Sequence, residues 1–229
     1  IGVDEESIIL AAKLSESLCI EHNSLESVKL TKNKYLMRSE LKKSGLKSPW
    51  FKRFSVHETP KDIFSELIFP CVIKPTFLSA SQGVLRVNSF EEFGKGCEML
   101  SDLLAEEKVK KRGGDQANWI LVEEYIPGKE VSIEGIVNNG KLKDLAIFDK
   151  PESLEGPIFP ETIFITPTIL DEHLQSSLIE TAQSALQALG ISKGPVHIEL
   201  RINDHGNYIL ECAARSIGGL CSKVLEFKG

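Results

Sequence analysis

The sequence predicts an α+β fold of two lobes, for three reasons. Short apolar strands alternate with amphipathic helices over the first half, a period-two run with an Asn-Gly turn opens the second half, and another hairpin pattern closes it. The chain has 229 residues, 41% hydrophobic and 26% charged, enough to bury a sizeable core and to exclude disordered and fibrous classes. At about 150 residues per domain, that length allows one large domain or two small ones.

Residues 4–18 read as a helix, because acidic residues lead it and Ile8, Ala11, Ala12 and Leu18 fall at helical spacing. A second helix begins at Ser24, and a third spans about 32–44, stopped by Gly45 with Pro49 beyond. Strands follow at 50–54, 71–74 and 84–87, then a helix from Ser89 to about 104 and a strand at 119–124. The charged, Gly-containing stretch 106–115 between them reads as a surface loop. From Glu130, Val131, Ile133 and Val137 share one face, Asn138-Asn139-Gly140 turns the chain, and 142–148 returns as a strand. The Pro-rich section 151–167 has no periodicity. A helix from Asp171 then carries Leu174, Leu178, Ala182, Ala185 and Leu189 on one stripe and ends at Gly190. The last hairpin pairs 196–203 with 207–212.

The formal net charge of -6 argues against nonspecific nucleic-acid binding, which needs a basic face. Five widely spaced cysteines without a CxxC pair suggest neither a disulfide framework nor a zinc site, and a reducing cytoplasm fits them. No apolar run approaches the roughly 20 residues that span a bilayer, so no membrane partner is expected. The first residue is Ile1, and the chain reads as a piece of a longer protein.

The last hairpin is the most informative for chemistry. A three-residue loop, Asp204-His205-Gly206, would pair Asn203 with Asn207 and set Glu199 directly opposite Glu211. Facing carboxylates destabilise a sheet unless they hold a cation, share a proton or are well solvated, and oxygen-only ligands favour magnesium. A solvated polar face and a metal pair both remain open on this pattern, and a two- or four-residue loop would separate the two glutamates. Arg215 follows four positions after Glu211, suited to a phosphate or carboxylate or to a plain surface role. Lys74 ends an apolar strand, and Ser79, Ser81 and Gly83 lie in a small hydroxyl-rich loop that either cradles phosphate or merely connects two strands. The Walker and G-x-G-x-x-G patterns are absent. Lys34 and Arg38, one turn apart, form a basic patch or a solvated helix face.

In order and spacing, these residues resemble the ATP-grasp superfamily from about Thr31 to Gly219. Asn33-Lys34-Tyr-Leu-Met-Arg38 and Val72-Ile73-Lys74-Pro75 are similar to its two phosphate-lysine segments, and 120–130 is similar to its adenine linker. The resemblance implies an α+β ATP-grasp fold whose two lobes clamp a nucleotide. It implies Glu123 and the backbones of Glu124 and Ile126 at the adenine, Glu130 at the ribose, Lys34, Lys74, Ser81 and Gly83 at the phosphates, Glu199 and Glu211 at magnesium (or manganese), and Arg215 at the reacting acyl phosphate. It divides the chain into 1–30, a helical remnant of a preceding Rossmann-like domain; 31–124, a first lobe with its lid; and 125–229, a second lobe with the metal site. Two departures stand out: Ala213 occupies a position where many members have asparagine, and the phosphate loop is serine-rich.

The function implied is that of a cytoplasmic ATP-dependent carboxylate-amine ligase of the amino-acid-ligase branch, with a small carboxylate and an amine as substrates and a homodimer as a common assembly. Two rivals are a bicarbonate-using carboxylase or carbamoyl-phosphate-type subunit, and a nucleotide-binding regulatory module without turnover. Lys150 and Glu161 are further pocket candidates.

Overall fold

A computed structural model describes residues 2–151, 155–159 and 163–225. The chain divides into two compact units, one made of 1–48, 128–152 and 162–229, the other of 49–127 and 153–161. The sequence division placed 31–124 in one lobe; residues 31–48 instead group with the unit containing the last hairpin. The third helix explains this, because Met37 and Leu41 are buried in that unit's core.

The first unit opens with helices α1 (Ser7–Ser17), α2 (Leu25–Lys32) and α3 (Lys34–Lys43). Ser24 caps α2 by accepting from the Ser27 N–H, and Asn33 caps α3 by accepting from Tyr35 and Leu36. Gly45, at φ +77°, ends α3 where the sequence placed its stop. In the second unit, strands β1 (Phe51–Ser55), β2 (Cys71–Pro75), β3 (Leu85–Val87) and β4 (Trp119–Glu124) form an antiparallel sheet in the order β1-β4-β2-β3. Helix α4 (Phe90–Ala105), capped by Ser89, buries Phe93, Cys97, Leu100 and Leu104 in the core of this unit.

The stretch expected to be a surface loop is helical: α5 spans Glu107–Gly113 and a 3-10 turn covers Gly114–Asn118. Val109 packs on the core, and a Cβ on Gly113 would lie 2.3 Å from the Phe77 ring. One apolar anchor and one close approach are enough to order a run that reads as solvated by composition.

Back in the first unit, β5 (Lys129–Asn138), β6 (Lys141–Lys150), β7 (Lys193–Asn203) and β8 (Gly206–Ala213) form a second antiparallel sheet in the order β6-β5-β7-β8. Asn139 and Gly140, both at positive φ, make the tight β5-β6 turn that the Asn-Gly signal predicts. Helix α6 (Glu172–Ala188), capped by Asp171, buries Leu178, Ala182, Ala185 and Leu186 against Val131, Ile133, Ile198, Leu200, Ile209 and Cys212. One face of this sheet is therefore apolar. Among the described residues no helix is long and apolar enough to cross a membrane.

Among the described residues Cys19, Cys71, Cys97 and Cys212 are free thiols. Burial pushes the Cys71, Cys97 and Cys212 thiols up to about 12, whereas Cys19 is exposed and Cys221 half-buried. Iodoacetamide at about pH 8 is thus expected to label Cys19 in the folded protein and Cys71, Cys97 and Cys212 only after denaturation. Peptide mass spectrometry checks this; equal labelling of all four in the native state would contradict the burial.

Candidate functional site

The face of the second sheet turned away from α6 carries its charges. Glu130, Ser132 and Glu134 alternate along β5, and Arg201, Glu199 and His197 stand opposite them on β7. Lys150, at the end of β6, pairs with Glu130 across that strand boundary. Its ammonium lies 2.6 Å from Glu130 and 3.2 Å from Glu199. Arg201 Nε donates to the other Glu130 oxygen at 3.0 Å. His197 joins Glu134 through Nδ1 and lies 3.2 Å from Glu199 through Nε2.

These partners decide the protonation states. Burial alone would lower the His197 pKa, but hydrogen bonds to Glu134 and Glu199 more than offset it and hold the ring up to about 10, so it is cationic at neutral pH. Burial would raise the Glu199 carboxyl, yet His197 and Lys150 hold it well below the usual range. Lys150 is likewise held above an ordinary lysine, its burial outweighed by Glu199 and Glu130. Ser132 Oγ, in the middle of this network, is buried with no hydrogen-bond partner among the described residues.

Glu199 does face Glu211, but by a different route from the one the sequence suggested. The loop has two residues, Asp204 and His205, with Asn203 opposite Gly206. That register would set Glu199 against Leu210. A β-bulge between Leu200/Ile209 and Glu199/Glu211 leaves Leu210 as the extra residue and restores the pairing. Lys34, from α3, lies 3.0 Å from Glu211. Lys34 and Arg38 are both buried, at 7% and 1% exposure, so the solvated-face reading of that helix is excluded.

Arg215, just beyond β8, donates from Nε to Glu5 at 2.5 Å and from Nη1 to the Ser216 carbonyl at 2.9 Å. The following turn is tied back to the sheet, since the Ile217 N–H donates to Glu134 at 2.9 Å.

The second unit holds a separate group. Lys74 on β2 and Glu123 on β4 form an ion pair with side chains only 8% and 4% exposed. Two residues on, Thr76 Oγ1 is buried without a hydrogen-bond partner among the described residues. Phe77 and Leu78 anchor the loop start in the core, leaving a turn in which Ala80, Ser81 and Gly83 all have positive φ. A side chain at Gly83 would be strained at φ +71° and would press on Leu100 and Leu103 of α4. Glu124 is exposed and its N–H donates to the Trp50 carbonyl, while Ile126 is buried and the Tyr125 N–H donates to Pro70. Glu161 lies outside the described residues.

These are two lysine-carboxylate groups on antiparallel sheets, in the chain order of the motifs. A model of the ATP-grasp domain matches residues 67–224. The chain belongs to the ATP-grasp family. It is 30% identical over 220 residues to alanine–anticapsin ligase of Bacillus subtilis (strain 168), covering 90% of this chain and 46% of that protein. It is 29% identical to D-alanine–D-alanine ligase of Flavobacterium johnsoniae, covering 93% and 62%. The L-amino acid ligase structure from Bacillus licheniformis superposes with a TM-score of 0.81 at 30% identity, over 95% of this chain and 50% of that one. The chain thus spans about half the length of the first of these relatives.

Within this ATP-grasp chain, motif reading overlooked Glu5, Glu134, His197 and Arg201. Glu134 had a legible signal, because Glu130, Ser132 and Glu134 share one parity of β5, opposite to the apolar Val131 and Ile133. Glu5 had none: its partner is 210 residues away.

Proposed function

We propose that this chain is the nucleotide- and metal-binding core of an ATP-dependent ligase that joins an amino-acid carboxylate to an amine. The observation that carries the reading is the opposition of two carboxylates, Glu199 and Glu211, on a charged sheet face, each beside a lysine. The donor set suits the ion: two carboxylates, largely shielded at 17% and 20% side-chain exposure, are hard oxygen ligands of the kind magnesium or manganese takes. Similarity to alanine–anticapsin ligase and to an L-amino acid ligase supports an amino acid as the carboxylate.

In this reading Glu199 and Glu211 would hold the metal, which would supply positive charge to the phosphates of the nucleotide. Lys34 and Lys74 neutralise phosphate charge, and the turn containing Ser81 and Gly83 offers backbone N–H groups to it. Glu123 and the backbones of Glu124 and Ile126 receive the adenine, and Glu130 the ribose. The substrate carboxylate attacks the γ-phosphorus, the bond to the β-phosphate oxygen breaks, and ADP leaves an acyl phosphate. Arg215 stabilises that acyl phosphate until the amine attacks the acyl carbon and expels phosphate. Catalysis by these residues is positioning and charge stabilisation, with Glu5 aligning Arg215. The free thiols of Cys19, Cys71, Cys97 and Cys212 and the small-molecule chemistry favour the cytoplasm.

The test is ADP release by the protein with ATP and magnesium, given either single amino acids or bicarbonate. Release that requires an amino acid supports the ligase. Release with bicarbonate alone would transfer the chain to the carboxylase reading, and nucleotide binding without turnover under either condition would make it a regulatory module.

A further inference from the structure

Among the described residues β8 is the outer strand of its sheet, with one edge that pairs with no other strand. Arg38 covers that edge where the bulge lies: Nη1 donates to the Ile209 carbonyl, and Nη2 donates to the carbonyl of Leu210, the extra residue, at 3.1 Å. The guanidinium fork suits two neighbouring acceptors, and the side chain is 1% exposed. Its helix also carries Lys34, one turn earlier and 3.0 Å from Glu211.

The bulge decides which way Glu211 points. In an unbroken strand Glu211 would share a face with Ile209, which is buried against α6. With Leu210 inserted, the core takes Ile209 and Cys212, three positions apart, and Glu211 turns to the charged face opposite Glu199. A bulge disrupts the regular ladder at its extra residue, and here the Ile209 and Leu210 carbonyls accept from Arg38.

We infer that Arg38 is a positioning residue whose guanidinium, by holding the carbonyls of Ile209 and Leu210, fixes the bulge that sets Glu211 opposite Glu199. This rests on the reading of those glutamates as a metal pair. In this role Arg38 acts through the backbone of β8.

The test uses manganese as the probe, followed by electron paramagnetic resonance in the presence of a non-hydrolysable ATP analogue. Arg38→Lys keeps the charge but lacks the fork, and Arg38→Met lacks both. Manganese affinity is expected to fall about 10-fold or more in both variants, as for loss of an outer-shell partner. Affinity for the nucleotide without metal should stay near the wild-type value, and the amides of 210–212 should exchange faster with deuterium. If Arg38→Met does not fold, Arg38→Lys decides. Wild-type manganese affinity in Arg38→Lys would overturn the inference, as would an equal fall in metal-free nucleotide affinity. Wild-type protein that takes up no manganese would instead sink the metal-pair reading itself.

Discussion

Replacing Glu211 with glutamine is expected to lower magnesium-dependent turnover by about 100-fold or more while the protein stays folded. The amide keeps the shape of the side chain but removes the charge that faces Glu199. Lys34 loses an ion-pair partner at 3.0 Å, in a pair whose side chains are 9% and 20% exposed. That loss costs about 1–3 kcal/mol, a shift of only a few degrees per kcal/mol in melting temperature for a chain of this size. Glu199 keeps Lys150 and His197, so the rest of the charged face is undisturbed. Glu211→Asp, which keeps the charge on a shorter stem, should recover part of the activity. Turnover and calorimetric metal binding, each measured against magnesium concentration, check this together. A magnesium dependence identical to wild type would remove Glu211 from the metal site.

Lys74→Ala is expected to act first on stability, losing about 3–5 kcal/mol, because it leaves the Glu123 carboxylate buried without its lysine. Read from the residues alone, the same substitution ought to weaken nucleotide binding more than it lowers the melting temperature. The burial of the pair, 8% and 4% exposed, reverses that order. Adding Glu123→Gln should return much of the lost stability, since no uncompensated charge then remains, while nucleotide affinity stays low in both variants. Denaturant melts of the two single variants and the double variant give the coupling. Equal losses in Lys74→Ala and in the double variant would mean that the two side chains do not depend on each other.

Much of this molecule was legible in the sequence because its signals are local. Ser24, Ser89 and Asp171 cap helices where short polar side chains precede apolar stripes, and Asn139-Gly140 turns β5 into β6. The order of Lys34, Lys74, Glu123, Glu130, Glu199 and Glu211 carried the family. The run 106–115 was misread because its charge pattern is local information, whereas Val109 on the core and Gly113 under Phe77 are not.

The last hairpin separates the two kinds of information most clearly. The family resemblance and an assumed three-residue loop put Glu199 opposite Glu211, but the loop has two residues. Only the tertiary structure supplies the missing residue of register, through a bulge whose carbonyls are held by Arg38 from 171 and 172 positions away. A bulge leaves no periodic mark in the sequence, and its stabilising donor is brought there by the packing of α3, so neighbouring residues along the strand could not announce it.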